Sequence, residues 1–358
     1  MLSIDKKLLN TNNYLTYIDD QYIWTGEVPG YVYSDNSDIG PYSVEPLLKI
    51  FGYELPRLIE DKYYNMISDM HIKNPNWKML LGNSYINKLK ENTGTVISYL
   101  GGINNKKYID FYRMTNEWLW ELKPAELDKT LYNGIMKVDE SFKLPLDGEN
   151  IEVVRYDRSV IKTGRLSVIS GPSIMNMKKE RRNLVKDGLS IDFDAMEPRL
   201  LLNLMNLKVD GDIYEWVAKK CKLNGDRTYW KTAVISSLYG ANIAPEVNSL
   251  FALKEWINQI EKSIYIDKNN RRVIDNYFGR PIVIEDATEH HLLNLWLQSS
   301  AAEFAMVGFM NIFRNDSRLI PHWVIHDGCI YTEKEKDVNI PKEIIIENMI
   351  FSIHRERL

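Results

Sequence analysis

The sequence predicts a chain that mixes helices and strands, an α+β fold, in about two or three subdomains. Three observations carry this. Leu189, Ile191, Phe193 and Ala195 alternate with Ser190, Asp192 and Asp194, the period of a strand with one buried face and one carboxylate-bearing face. Residues 58–89, 116–131 and 227–239 space their apolar positions as helices do. The run His322–Tyr331 has apolar arms around Asp327-Gly328, a strong hairpin-turn signal.

Composition sets bounds on function. Charged residues are 26% and hydrophobic ones 44% of 358, as in ordinary soluble globular proteins. A formal charge of −4 excludes a uniformly basic coat, so any nucleic-acid surface must be a local patch. Cys221 and Cys329, the only cysteines, are too few for a disulfide framework or a structural zinc site, which suits a reducing compartment. No apolar run reaches membrane-spanning length and the N-terminus turns polar at once, so no membrane partner is expected. The expectation is a cytoplasmic protein.

In chain order, residues 1–60 are rich in tyrosine, acids and turn signals, and read as an extension that packs or docks. Residues 61–186 begin with helices; Lys123, Lys129 and Lys137 on them could meet a duplex backbone or simply be a solvated face. Residues 151–186 carry nine cations against three acids, a segment able to neutralise phosphates, or an ordinary charged loop. In residues 187–210 the carboxylate strand stops at Glu197-Pro198 and a helix follows, Pro198 in its first turn where a missing N–H does no harm. Asp192 and Asp194 on one face suggest a metal site, though an exposed edge strand would also carry them. Residues 211–289 include Arg227, Lys231, Ile235 and Tyr239, four apart and on one helix stripe ended by Gly240. Cations and an aromatic on one stripe suit a triphosphate and a base better than a core. In residues 290–358, Asn294 and Gln298 share a helix face that could equally be a buried helix with a polar edge. His290-His291 is a weak metal signal, since adjacent helix residues diverge.

These stretches together resemble family A DNA polymerases, the group of bacterial polymerase I and many phage replicative enzymes. Thr163-Gly164-Arg165-Leu166-Ser167 matches that family's Thr-Gly-Arg-Leu-Ser, and Pro172–Asn176 is similar to the Pro-Asn-Leu-Gln-Asn after it. Asp192–Arg199 resembles motif A, Arg227-x3-Lys231-x7-Tyr239-Gly240 motif B, Tyr277–Arg280 a Gly-Arg element, Asn294–Glu303 the Asn-x3-Gln helix, and His326-Asp327 motif C. The likeness spans residues 160–335.

The resemblance implies a right-hand polymerase architecture: a palm around an antiparallel sheet (187–210 and 290–358), helical fingers (211–289) and a reduced helical thumb (within 61–186). It implies template-directed addition of dNTPs to a primer 3′-hydroxyl on a DNA primer-template. Asp192 and Asp327 would hold two Mg²⁺ ions, Mn²⁺ being an alternative. Asp194 stands where the family often has Ser and could replace the Glu that the family has at Gly328. Arg227, Lys231, Tyr239, Ile235 and the backbone at Phe193 would bind the nucleotide, and Glu197 would stand against a ribose 2′-hydroxyl. Arg165, Asn176, Arg280, Asn294, Gln298 and His326 would contact DNA. Ile235 replaces a family aromatic and Tyr214 a common His, which bears on sugar discrimination and phosphate affinity. The chain leaves no room for a proofreading exonuclease ahead of the thumb, so a separate exonuclease or processivity subunit is an expected partner. Two other readings remain open: a single-subunit RNA polymerase, and a non-catalytic nucleic-acid-binding subunit with a degenerate site.

Overall fold

The computed structural model describes residues 2–9, 12–18, 21–27, 30–33, 37–54, 61–71, 76–103, 105–222, 224–241, 244–285, 287–335 and 338–358. The chain divides into two compact units, Met1–Trp120 and Glu121–Leu358. The described elements mix helices with several sheets, as an α+β fold requires.

In the first unit the strands β1 (Leu2–Ile4), β2 (Tyr14–Ile18), β3 (Gln21–Thr25) and β4 (Tyr31–Tyr33) form a sheet in the order β3-β2-β1-β4. Helices α1 (Lys6–Leu9), α2 (Val44–Ile50), α3 (Asp61–Asp69), α4 (Trp77–Gly101) and α5 (Lys106–Trp120) accompany it. Its core includes Ile4, Val32, Val44, Leu47 and Leu48, all buried. Residues 2–54 therefore share a unit with the helices that follow them.

The second unit opens with β5 (Ala125–Glu126), α6 (Lys129–Val138), β6 (Leu146–Asp147) and β7 (Asn150–Ile151). Here the expected helix over 125–131 is corrected: Ala125 and Glu126 pair with Ile151 and Asn150. The helix begins only at Lys129, after Asp128 accepts the Leu131 amide as an N-cap. A hairpin of β8 (Arg155–Asp157) and β9 (Ser167–Ser170) follows, then β10 (Leu189–Phe193), α7 (Met196–Leu204), α8 (Ile213–Cys221), α9 (Arg227–Leu238), α10 (Pro245–Leu250) and α11 (Leu253–Lys262). A small sheet of β11 (Tyr265–Ile266), β12 (Arg272–Asp275) and β13 (Pro281–Val283) precedes the long α12 (Glu289–Asn315). The chain closes with β14 (Leu319–Ile325), β15 (Gly328–Glu333), β16 (Glu343–Ile346) and β17 (Met349–Arg357).

The central five-stranded sheet runs β14-β15-β10-β17-β16, every pair antiparallel, with the carboxylate strand β10 in the middle. One face is dry: Phe193 lies 5.1 Å from Phe309 of α12 and 6.2 Å from Phe351 of β17, between ring centroids. That packing needs Gly308, where an added Cβ would come within 2.3 Å of the Phe193 ring. Side-chain alternation then turns Asp192 to the opposite face. Among the described residues no helix is long and apolar enough to cross a membrane.

Candidate active site

Sheet register brings the two motif carboxylates together. Asp192 pairs with Gly328 on one side and His354 on the other, and the Phe193 amide donates to the Asp327 carbonyl at 2.9 Å. Asp327 occupies the β14–β15 turn, whose other residue, His326, has a left-handed φ of 57°. Ala195, at φ 49°, is likewise left-handed where β10 gives way to α7. Two non-glycine residues in this sparsely populated region, one beside each carboxylate strand end, are strain of the kind that persists where surrounding structure holds it.

Burial raises the Asp192 carboxyl above its ordinary range and the charge of Asp327 adds to the rise; Arg182, Lys179 and His354 oppose it. Asp192 has taken up the space of a missing side chain, because a Cβ on Gly328 would lie 2.3 Å from its Oδ1. His326 is held below the usual imidazole range, by burial first and then by the charges of Arg165 and Arg182, while Asp327 opposes them.

Above this lies a cleft of about 380 Å³. Its floor includes Phe193, Asp194, Glu197, His326 and Asp327. One wall is α9, which presents Arg227, Lys231, Ile235 and Tyr239; the other is α12, with Gln298, Ala301 and Ala302. Asp226 caps α9 by accepting the Tyr229 amide, and Tyr239 and Gly240, the latter at φ 88°, end it. Arg227 donates to Asp212 at 2.7 Å and lies over the ring of Tyr214, 5.3 Å away. Glu197, its side chain only 12% exposed, accepts from Arg165 at 3.2 Å and from the Tyr239 hydroxyl at 3.3 Å. Burial raises its carboxyl above the ordinary range, and its Oε2 is buried without a hydrogen-bond partner.

The cleft therefore gathers Arg165, Phe193, Asp194, Glu197, Arg227, Lys231, Ile235, Tyr239, Gln298, His326 and Asp327 from the residues named on sequence grounds. The others lie elsewhere. Asp192 sits behind the cleft floor, adjoining Asp327. Asn176 ends a short 3₁₀ turn (Ile174–Asn176) and is exposed outside the cleft. Asn294 lines a separate cavity of about 220 Å³ with Lys162, His291 and Leu295. Arg280, expected to meet a template backbone, is corrected: it is 2% exposed and its guanidinium donates to carbonyl oxygens of Arg158, Ile161 and Lys162. A guanidinium so engaged has no face left for a phosphate. Asp194 is exposed, and its charge acts on Arg199 and Arg227 rather than on Asp192.

Sequence reading missed Arg182 and His354, which act on Asp192. Only strand register reveals His354. It also missed the buried Arg158–Glu303 pair, although Glu303 stands out as the one acid in the apolar run Ala301–Met306.

Among the described residues no three His, Cys, Asp or Glu side chains cluster closely enough to form a metal cage. Two adjoining carboxylates, one half-buried and destabilised by the charge of the other, nonetheless fit Mg²⁺. That ion is held by one or two carboxylates with the rest of its shell from water and phosphate oxygens.

No family model matches the chain, and no curated protein matches it. Solved structures do, among them the POL domain of Pol1 from M. smegmatis in complex with DNA primer-template and dNTP. The two are 12% identical with a TM-score of 0.42, the alignment covering 82% of this chain and 57% of that one. This chain thus spans little more than half of that structure's length.

Proposed function

We propose that the chain is a template-directed DNA polymerase that adds dNTPs to a primer 3′-hydroxyl. The five-stranded sheet would be the palm, and α8 to α11 the fingers. One observation carries the reading: a single cleft collects an acid floor from residues 193–197 and 326–327, with Asp192 paired to Gly328 next to it, a cationic and aromatic helix face from 227–239, and Gln298 with Arg165 beside them.

Phosphoryl transfer asks for positioning and charge neutralisation more than for covalent help from protein. Asp192 and Asp327 would hold Mg²⁺, whose Lewis acidity would lower the cost of charge on the attacking hydroxyl and the leaving pyrophosphate. Lys231 and Arg227 would bind the triphosphate oxygens, Arg227 exchanging Asp212 for phosphate. Tyr239 would cover the base, and Glu197, fixed by Arg165 and Tyr239, would stand where a ribose 2′-hydroxyl has to be refused. Gln298 and Arg165 would donate to minor-groove acceptors, which every base pair presents, so contact there tests pair geometry rather than sequence. His326 would line the primer side.

The test is extension of a labelled primer on a DNA template with Mg²⁺, offering dNTPs or rNTPs to wild type and Asp327→Asn. Template-directed extension with dNTPs, lost in the variant, is the expected result. Extension with rNTPs instead would replace this reading with an RNA polymerase; binding of primer-template without extension would replace it with a non-catalytic subunit.

A further inference from the structure

The interior beside the cleft holds a charged cluster that the polymerase reading does not use. Arg158, Glu303 and Arg280 are 0%, 1% and 2% exposed at their side chains. Glu303 pairs with Arg158 through Oε2, and its Oε1 lies 3.9 Å from Arg280 Nη1. One carboxylate thus holds two guanidinium groups in the core.

The partners of Arg280 are concentrated in one short stretch. Nη2 donates to the Arg158 carbonyl at 2.7 Å and the Ile161 carbonyl at 3.4 Å, and Nε to the Lys162 carbonyl at 3.3 Å. The chain then turns tightly, the Gly164 amide donating to the Ile161 carbonyl at 2.8 Å. Gly164 has φ +75°, and a Cβ there would lie 2.9 Å from the Arg280 guanidinium carbon. The guanidinium therefore fills the place that a side chain on the turn would need. The next residue is Arg165, which reaches Glu197 in the cleft.

The other end of the cluster is bolted to α12. Asn276 donates to Ser299 at 3.0 Å, the Tyr277 amide to Ser300 at 3.1 Å, and the Arg280 amide to the Asn276 side chain at 2.8 Å. Ser299, Ser300 and Glu303 are the buried face of the same helix turns whose other face, Gln298, Ala301 and Ala302, lines the cleft. Helix geometry makes this division obligatory.

We propose that Arg280 and Glu303 are positioning residues: through the turn at 161–164 they set Arg165 against Glu197, in register with the Gln298 face of α12. A cluster that served stability alone would have no reason to place three of its hydrogen bonds on the carbonyls just ahead of a cleft residue. The kinetic part of the claim rests on the polymerase reading; the structural part does not.

The experiment is a double-mutant cycle of Glu303→Gln and Arg165→Ala, read by single-nucleotide extension kinetics and by amide hydrogen exchange. Each single variant is expected to lower kcat/KM for the incoming nucleotide by about tenfold or more. The double variant should be no worse than Arg165→Ala alone, since residues acting as one unit are not additive. In Glu303→Gln the amides of 158–166 should exchange faster while those of β10 keep their protection. Arg280→Lys, which keeps the charge but loses the fork needed to reach separate carbonyls, serves the same purpose if Glu303→Gln fails to fold. Glu303→Asp should restore part of the loss. Multiplying effects in the double variant, or wild-type kinetics with unchanged exchange at 158–166 in a protein of lower Tm, would overturn the proposal. If wild type extends no primer, the polymerase reading fails, and the exchange at 158–166 decides the positioning claim by itself.

Discussion

The two sides of the cleft are built by different means. The carboxylate side is fixed by backbone: Asp192 sits in the centre of a five-stranded ladder, Asp327 in a tight turn whose carbonyl accepts the Phe193 amide. Neither carboxylate can move far without breaking sheet hydrogen bonds. The cationic side is carried by one helix face, where Lys231 is exposed and Arg227, its side chain 56% exposed, pairs with Asp212. An exposed pair of that kind contributes little to stability and is readily exchanged. The difference teaches a division of labour. The sheet pays for two crowded acids with its own stability, while the helix carries its cations on its surface, Lys231 exposed and Arg227 held by a partly exposed pair with Asp212.

Four substitutions sharpen or break this contrast. The largest effect belongs to Asp327→Asn, expected to cut the rate of nucleotide addition by about 10³-fold or more while primer-template binding persists; rapid-quench extension and a binding titration check it. Next, Gly328→Ala should displace Asp192, whose Oδ1 occupies the position beside the new Cβ. A loss of about tenfold in kcat with little change in nucleotide KM is expected, and an unaltered kcat would show that the crowding is unimportant. On the helix side, Lys231→Ala should do the reverse, raising nucleotide KM by roughly tenfold to a hundredfold, the worth of a charge-assisted hydrogen bond.

The smallest effect is on stability. The Glu197 carboxyl has its folded-state pKa raised by burial, so its ionised form opposes folding. The folded state binds that proton more tightly than the unfolded chain, and stability falls as pH rises from the unfolded to the folded pKa. Glu197→Gln should therefore have a higher Tm than wild type at neutral pH, and the gain should vanish below about pH 4, under the ordinary glutamate pKa. Thermal melts of the free protein across that range decide it; a gain that persists in acid would assign the effect to packing instead.

Much of the second unit was legible in order along the chain. The alternation 189–195 placed β10 and its two faces, because a one-residue shift would expose Phe193 and bury Asp192, but the strand ends at Phe193, two residues short of the alternation, where Ala195 turns left-handed into α7. The stripe at 227, 231, 235 and 239 and the glycine at 240 marked α9, and Asp327-Gly328 marked the hairpin. These are local signals that capping, turn geometry and side-chain period impose within a few residues.

The helix read over 125–131 failed because strand pairing with Ile151 and Asn150 outweighed local propensity there. Arg280 looked like a phosphate contact because a sequence states charge but not burial. Only the packed structure put its guanidinium against carbonyls of residues 158–162, more than a hundred positions away. The same holds for the approach of His354 to Asp192 and of Glu303 to Arg158. Periodicity and turn chemistry act along the chain, so the sequence alone determined which residues are candidates. Which of them share the cleft, and which hold its wall in place, was decided by register and packing between distant segments, which only the tertiary structure supplies.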